Sequence, residues 1–85
     1  MTLEERFADA QERVKKLAKT PGNDSLLSLY ALYKQASVGD VTGKRPGMLD
    51  FKGQAKFDAW AGKKGTSKAD AMDAYVALVD RLAAG

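Results

Sequence analysis

Apolar residues recur at intervals of three and four along this 85-residue chain, and glycine or proline breaks the rhythm wherever a helix needs to end. That spacing stacks residues i, i+3 and i+4 on one helix face, whereas a half-buried strand would alternate with a period of two. No segment alternates in that way and no segment repeats another. The pattern therefore predicts a single all-α domain of four helices spanning residues 1–85.

The local signals divide the chain. Thr2-Leu3-Glu4-Glu5 has the form of a capping box, and Leu3, Phe7, Ala10, Val14 and Leu17 follow on one stripe. Pro21-Gly22 closes that helix, and Asn23 or Asp24 is placed to cap the next. In the second helix Leu26, Leu29, Leu32, Tyr33 and Ala36 form one stripe, with Leu27, Tyr30 and Lys34 beside it; Gly39 is its stop. Residues 39–50 form a long connection containing the turn pair Pro46-Gly47, and Met48, Leu49 and Phe51 are available to pack it. A third helix is expected from about Phe51 to about Lys63, carrying Ala55, Phe57 and Trp60. Gly65 is a further stop, Ser67-Lys68-Ala69-Asp70 a second capping box, and Met72, Tyr75, Val76, Val79 and Leu82 the stripe of a fourth helix.

Composition narrows the chemistry. The chain has no cysteine, which removes disulfides, thiolate metal sites and a cysteine nucleophile, and no histidine, the commonest general base and metal ligand. No catalytic residue and no metal ligand is therefore assigned. No apolar run approaches the ~20 residues of a membrane span, and no basic-then-apolar leader is present. The expectation is a complete cytoplasmic protein, monomeric and without integral membrane association. Between Lys34 and Lys68 eight basic residues stand against three acids, so this window carries +5 while the remainder carries −2. An anion is expected in the middle of the chain, although a solvated basic surface would show the same bias.

Gly39-Asp-Val-Thr-Gly-Lys44-Arg45 fails as a P-loop: three residues rather than four separate the glycines, Arg follows the Lys, and a helix precedes it. Glu4 and Glu5 sit where they complement a helix dipole, not where paired carboxylates could share a substrate. With no basic recognition helix, nucleic acid is left as a reading from charge and aromatics alone, and no nucleic-acid partner is assigned.

The segment Tyr30-Ala31-Leu32-Tyr33-Lys34 brings two phenols and an ammonium onto one face of the second helix. A phenol can face a flat ring and still donate a hydrogen bond, and a lysine offers a mobile charge to a phosphate. Taken alone, the segment is more simply read as partly buried core with a solvated lysine. Lys52 and Lys56, spaced i and i+4, add two ammoniums on one face of the third helix. Lys15 next to Val14, and Tyr75 in an apolar stripe, extend the cluster, each also explicable as ordinary surface or core.

Three longer blocks change that balance. Tyr30-Ala-Leu-Tyr-Lys-Gln-Ala-Ser-Val-Gly-Asp40 resembles the second-helix signature of acyl-CoA-binding proteins. Arg45-Pro-Gly-Met-Leu-Asp-Phe-Lys-Gly-Gln-Ala-Lys-Phe-Asp-Ala-Trp60 resembles their loop and third helix, and Gly65-Thr-Ser-Lys-Ala-Asp-Ala-Met-Asp-Ala-Tyr75 the start of their fourth. The blocks keep the family's order and spacing over nearly the whole chain. The resemblance implies an up-down-down-up four-helix bundle with a long loop between helices two and three. It implies an intracellular carrier and buffer of medium- to long-chain acyl-CoA esters that is not an enzyme and needs no cofactor beyond that ligand. Transient contact with acyl-CoA-using enzymes would follow.

By position, the resemblance assigns acyl-CoA contacts to Tyr30, Tyr33, Lys34, Lys56, Tyr75 and Lys15. Tyr33 would meet the adenine; Tyr30, Lys34 and Lys56 would hold the phosphates, chiefly the ribose 3′-phosphate; Tyr75 would lie near ribose and pantetheine. Leu26 and Leu27 match an apolar pair beside the acyl chain. The chain departs from the family at Phe57, where tryptophan is frequent, and at Gly62, which puts the end of the third helix in question. A helical interaction module with a basic face for an acidic protein is the main rival from another class.

Overall fold

In the computed structural model, which describes residues 1–84, four helices are present: α1 (Leu3–Val14), α2 (Asn23–Ser37), α3 (Phe51–Ala61) and α4 (Lys68–Ala84). The all-α reading and the long connection between α2 and α3 both hold. Helix α4 packs against α1 and α2, and α3 packs against α2. No helix is long and apolar enough to cross a membrane among the described residues.

Thr2 caps α1 as its sequence suggests: the Thr2 hydroxyl accepts from Glu5 N at 3.1 Å and Thr2 N donates to Glu5 Oε1 at 2.9 Å. The helix stops earlier than its stripe. Lys15 N and Lys16 N bond back to the carbonyls of Glu12 and Arg13, a tightened final turn, so Leu17 lies beyond the helix. Neither Asn23 nor Asp24 caps α2. Gly22 takes the N-cap position with extended backbone and no side-chain bond, and both residues fall inside the first turn. There the Asp24 carboxylate faces the positive end of the helix dipole.

Gly39 ends α2 at φ 101°, a conformation costly for residues with a Cβ. Its carbonyl accepts the Trp60 indole N–H at 2.8 Å, which ties α3 to the end of α2. Helix α3 begins where the Asp50 carboxylate accepts from Gly53 N at 2.9 Å. A Cβ on residue 53 would run into that carboxylate, so the cap depends on Gly53. Gly62 is the C-cap of α3 and not an interior break, and the helix is two residues shorter than its spacing suggested.

The core gathers Phe7 and Ala10 of α1, Leu29, Leu32 and Ala36 of α2, and Ala71, Tyr75, Val76 and Val79 of α4. Trp60 is the buried residue of α3. The long connection is not packed by its own apolar side chains as expected: Met48, Leu49 and Phe51 are 81%, 95% and 75% exposed. Polar bonds hold it instead. Arg45 makes two bonds to Asp58, at 2.9 and 2.8 Å, and the Gln54 amide donates to the carbonyls of Pro46 and Gly47, each at 3.0 Å.

A buried amide closes the same end. Gln35 Nε2 donates to Asp40 Oδ1 at 2.9 Å and to Thr66 O at 2.8 Å, and the same carboxylate oxygen accepts from Gly65 N at 2.9 Å. The α2 terminus is thereby locked to the α3–α4 connection. The N–H of Gly65 and the Gln35 amide hold the Asp40 carboxyl below its ordinary pKa.

Candidate ligand-binding site

The outward face of α2 divides two clefts. Leu26 and Tyr30 line both and form the wall between them. One turn of helix separates these residues, which is why they stand one above the other. The first cleft, about 420 Å³, lies between α2, α4 and the segment after α1; Tyr30, Tyr33, Tyr75, Lys15 and Lys19 border it. The second, about 450 Å³, lies between α2 and α3; Leu26, Leu27, Phe51 and Ala55 give it an apolar lining, with Lys52 and Lys56 at its edge.

The phenols differ in setting. Tyr33 is 41% exposed, Tyr30 is half-buried and Tyr75 is buried. Phe7 fixes two of them from beneath: its ring meets Tyr75 edge-on at 5.1 Å and Tyr33 tilted at 6.2 Å between centroids. Burial first, and the neighbouring Tyr33 second, push the Tyr75 phenol above its ordinary pKa. It is therefore a neutral hydroxyl at physiological pH, able to donate as well as accept.

The two lysines singled out for phosphate each lie over an aromatic ring where α2 meets α3. The Lys56 ammonium sits 5.4 Å from the Tyr30 ring centroid, so α3 delivers a charge to the aromatic wall. Lys34 borders neither cleft; its ammonium lies 4.8 Å above the Trp60 ring. Tyr33, Tyr75 and Lys15 thus meet at the first cleft, Leu27 and Lys56 at the second, and Leu26 and Tyr30 at both. Lys19 and Phe51 also line the clefts and were not assigned to a ligand site from sequence. Phe51 could have been found, because it lies four residues before Ala55 and shares its helix face; Lys19, outside any helix, carries no such signal. No group of three or more His, Cys, Asp or Glu that could hold a metal ion occurs among the described residues.

Fold and clefts together define a small helical protein with a divided, amphipathic surface site. Comparison with known proteins makes the class specific. The family model described as acyl-CoA-binding protein matches residues 4–79. The chain is 57% identical over 84 residues to acyl-CoA-binding protein homolog 1 of Caenorhabditis elegans, covering 99% of this chain and 95% of that protein. It is 50% identical over 82 residues to the acyl-CoA-binding protein of Brassica napus, covering 96% and 89% respectively. The crystal structure of Oryza sativa acyl-CoA-binding protein 2 superposes with a TM-score of 0.91 at 44% identity, covering 95% of this chain and 90% of that one. The chain belongs to the acyl-CoA-binding protein family.

Proposed function

We propose that the chain, acting over residues 1–85 as one domain, binds medium- to long-chain acyl-CoA esters and serves as their cytoplasmic carrier and buffer. The observation that carries this reading is the pair of clefts meeting at Leu26 and Tyr30, one bordered by phenols and lysine and the other apolar. An acyl-CoA has the same division, with adenine and phosphates at one end and a hydrocarbon chain at the other. In this reading Tyr33, the most exposed phenol, packs on adenine. Tyr30, Lys34 and Lys56 hold phosphate oxygens, and Lys15 adds a further cation. Tyr75 offers its neutral hydroxyl near the ribose and pantetheine, and Leu26 and Leu27 face the chain. Lys34 reaches its phosphate by leaving, or leaning from, the face of Trp60.

Both halves of the ligand are needed. Charge-assisted hydrogen bonds contribute roughly 1.5–3 kcal/mol each, and nanomolar binding needs about −12 kcal/mol. Burial of the chain supplies up to about 0.8 kcal/mol per methylene. The protein acts as a monomer that shields its cargo and hands it to acyl-CoA-using enzymes without transforming it. The chain has no His or Cys, which removes the commonest general base and the cysteine nucleophile for thioester cleavage.

Calorimetric titration with palmitoyl-CoA, free CoA and palmitate tests the reading. Tight one-to-one binding is expected for the first and weak binding for the other two. Equal affinity for free CoA and palmitoyl-CoA would show that the apolar cleft takes no part. Palmitoyl-CoA incubated with the pure protein should stay intact, and loss of more than one equivalent would contradict a non-catalytic role.

A further inference from the structure

The turn from Met48 to Phe51 carries three large apolar side chains that the fold holds outward. They are 81%, 95% and 75% exposed at Met48, Leu49 and Phe51, the greatest concentration of exposed large hydrophobics among the described residues. This exposure is built into the backbone. Asp50 N bonds to Gly47 O at 3.0 Å, Asp50 caps Gly53 N, and Gln54 holds the carbonyls of Pro46 and Gly47. The turn spends its polar groups on itself and directs its apolar side chains away from the protein. Phe51 continues into the apolar cleft beside Leu26, itself 43% exposed, so the patch and the cleft mouth are continuous.

Basic residues flank this apolar tip along the chain. Lys44 precedes it, and Lys52 and Lys56 follow it on α3. The nearby acids are engaged: Asp58 is bound by Arg45, and the Asp50 carboxylate caps α3. Apolar side chains on an exposed turn, flanked along the chain by the exposed Lys44 and Lys52, fit an anionic interface with hydrocarbon immediately beneath it. An apolar protein groove would satisfy the tip but leave the flanking cations unmatched.

We propose that the Met48–Phe51 turn docks on anionic phospholipid bilayers, with Met48, Leu49 and Phe51 entering the headgroup–acyl boundary and Lys44 and Lys52 meeting lipid phosphates. This orientation sets the mouth of the apolar cleft on the lipid surface. Docking stands independently of the acyl-CoA reading, because the contacts are made by side chains at the rim and need no ligand.

Vesicle flotation of the full chain without ligand tests the proposal, using phosphatidylserine–phosphatidylcholine vesicles against pure phosphatidylcholine. Binding to the anionic vesicles is expected, weakening as salt is raised. Met48→Glu/Leu49→Glu should lower it about tenfold or more, and Lys44→Gln should lower it less. Neither variant touches a cleft, so palmitoyl-CoA affinity measured in parallel should stay at the wild-type value. Absence of anionic-vesicle binding, or equal binding by Met48→Glu/Leu49→Glu, would overturn the proposal. So would a concentration-dependent dimer that this double variant abolishes, which would make the turn a contact between copies of the chain.

Discussion

The Lys34 ammonium lies 4.8 Å above the ring of Trp60, and the Trp60 N–H bonds the Gly39 carbonyl at 2.8 Å. One indole thus closes the end of α2 with its edge and holds a lysine of that helix with its face. The stack holds the lysine on Trp60 in the absence of ligand, so a phosphate must draw it from that ring. Lys34→Ala and Lys56→Ala should each weaken palmitoyl-CoA binding by more than about 1 kcal/mol while helicity is unchanged. Calorimetry showing wild-type affinity in both variants would remove the phosphate site.

The phenols make separable contributions. If Tyr30 donates its hydroxyl to phosphate while Tyr33 offers its ring, Tyr30→Phe should weaken binding by about 0.5–1.5 kcal/mol or more, and Tyr33→Phe by less. Tyr33→Ala should weaken it strongly, since the ring itself is lost. An affinity series in the reverse order would mean the two roles are exchanged.

The clamp around Gln35 predicts an effect on stability. Gln35→Leu removes the donor to both Asp40 and Thr66 O and should destabilise the fold by about 1–3 kcal/mol in urea unfolding. Asp40 supplies the pH dependence. Its pKa is lowered on folding, so its contribution is fully present above the unfolded carboxylate pKa and is lost as pH falls through the folded value. Asp40→Asn should therefore be less stable than wild type near neutrality, with the gap closing as pH falls through and below the ordinary carboxylate range. A gap that stays constant over that range would mean the charge of Asp40 is irrelevant.

Tyr75 acts in the opposite direction. Its folded pKa is raised above the ordinary phenol value, so its contribution is intact below about pH 10, where the unfolded phenol begins to ionise, and is lost as pH rises through the folded value. The alkaline limb of a stability profile should flatten in Tyr75→Phe. An unchanged limb in that variant would assign alkaline unfolding to other groups.

How far the sequence could be read follows from the kind of interaction each residue makes. Leu29, Leu32, Ala36, Val76 and Val79 announce their helices because one apolar face needs only a local period. Spacing put Tyr30, Tyr33 and Lys34 on one face of α2 but, read alone, favoured core with a solvated lysine; only the resemblance of the longer blocks assigned them to a ligand. Gln35 was not: a glutamine reads as surface, and its burial depends on Asp40 and Thr66 arriving from elsewhere in the chain. The Lys34–Trp60 stack likewise joins two helices and leaves no periodic trace. Met48, Leu49 and Phe51 misled because hydrophobicity suggests packing, whereas Gln54 and Asp50 hold the turn by its backbone.

Acyl-chain length offers the broadest test of the divided site. If the chain enters the apolar cleft beside Leu26 and Leu27, each additional pair of buried methylenes should add up to about 1.6 kcal/mol, roughly a tenfold gain in affinity. Ordering the chain opposes that gain, so the measured slope should be shallower. Affinity should climb from butyryl- to longer acyl-CoAs and level off once the cleft of about 450 Å³ is filled. Raised salt should weaken the contribution of Lys34 and Lys56 through screening but leave most of the slope, because hydrocarbon burial carries no charge. Leu27→Ala should flatten the slope with little effect on free CoA, while Lys56→Ala should lower every affinity in the ladder together. A flat ladder from butyryl- to palmitoyl-CoA in the wild-type protein would separate the apolar cleft from ligand binding, leaving a helical bundle that recognises only the anionic half of the molecule.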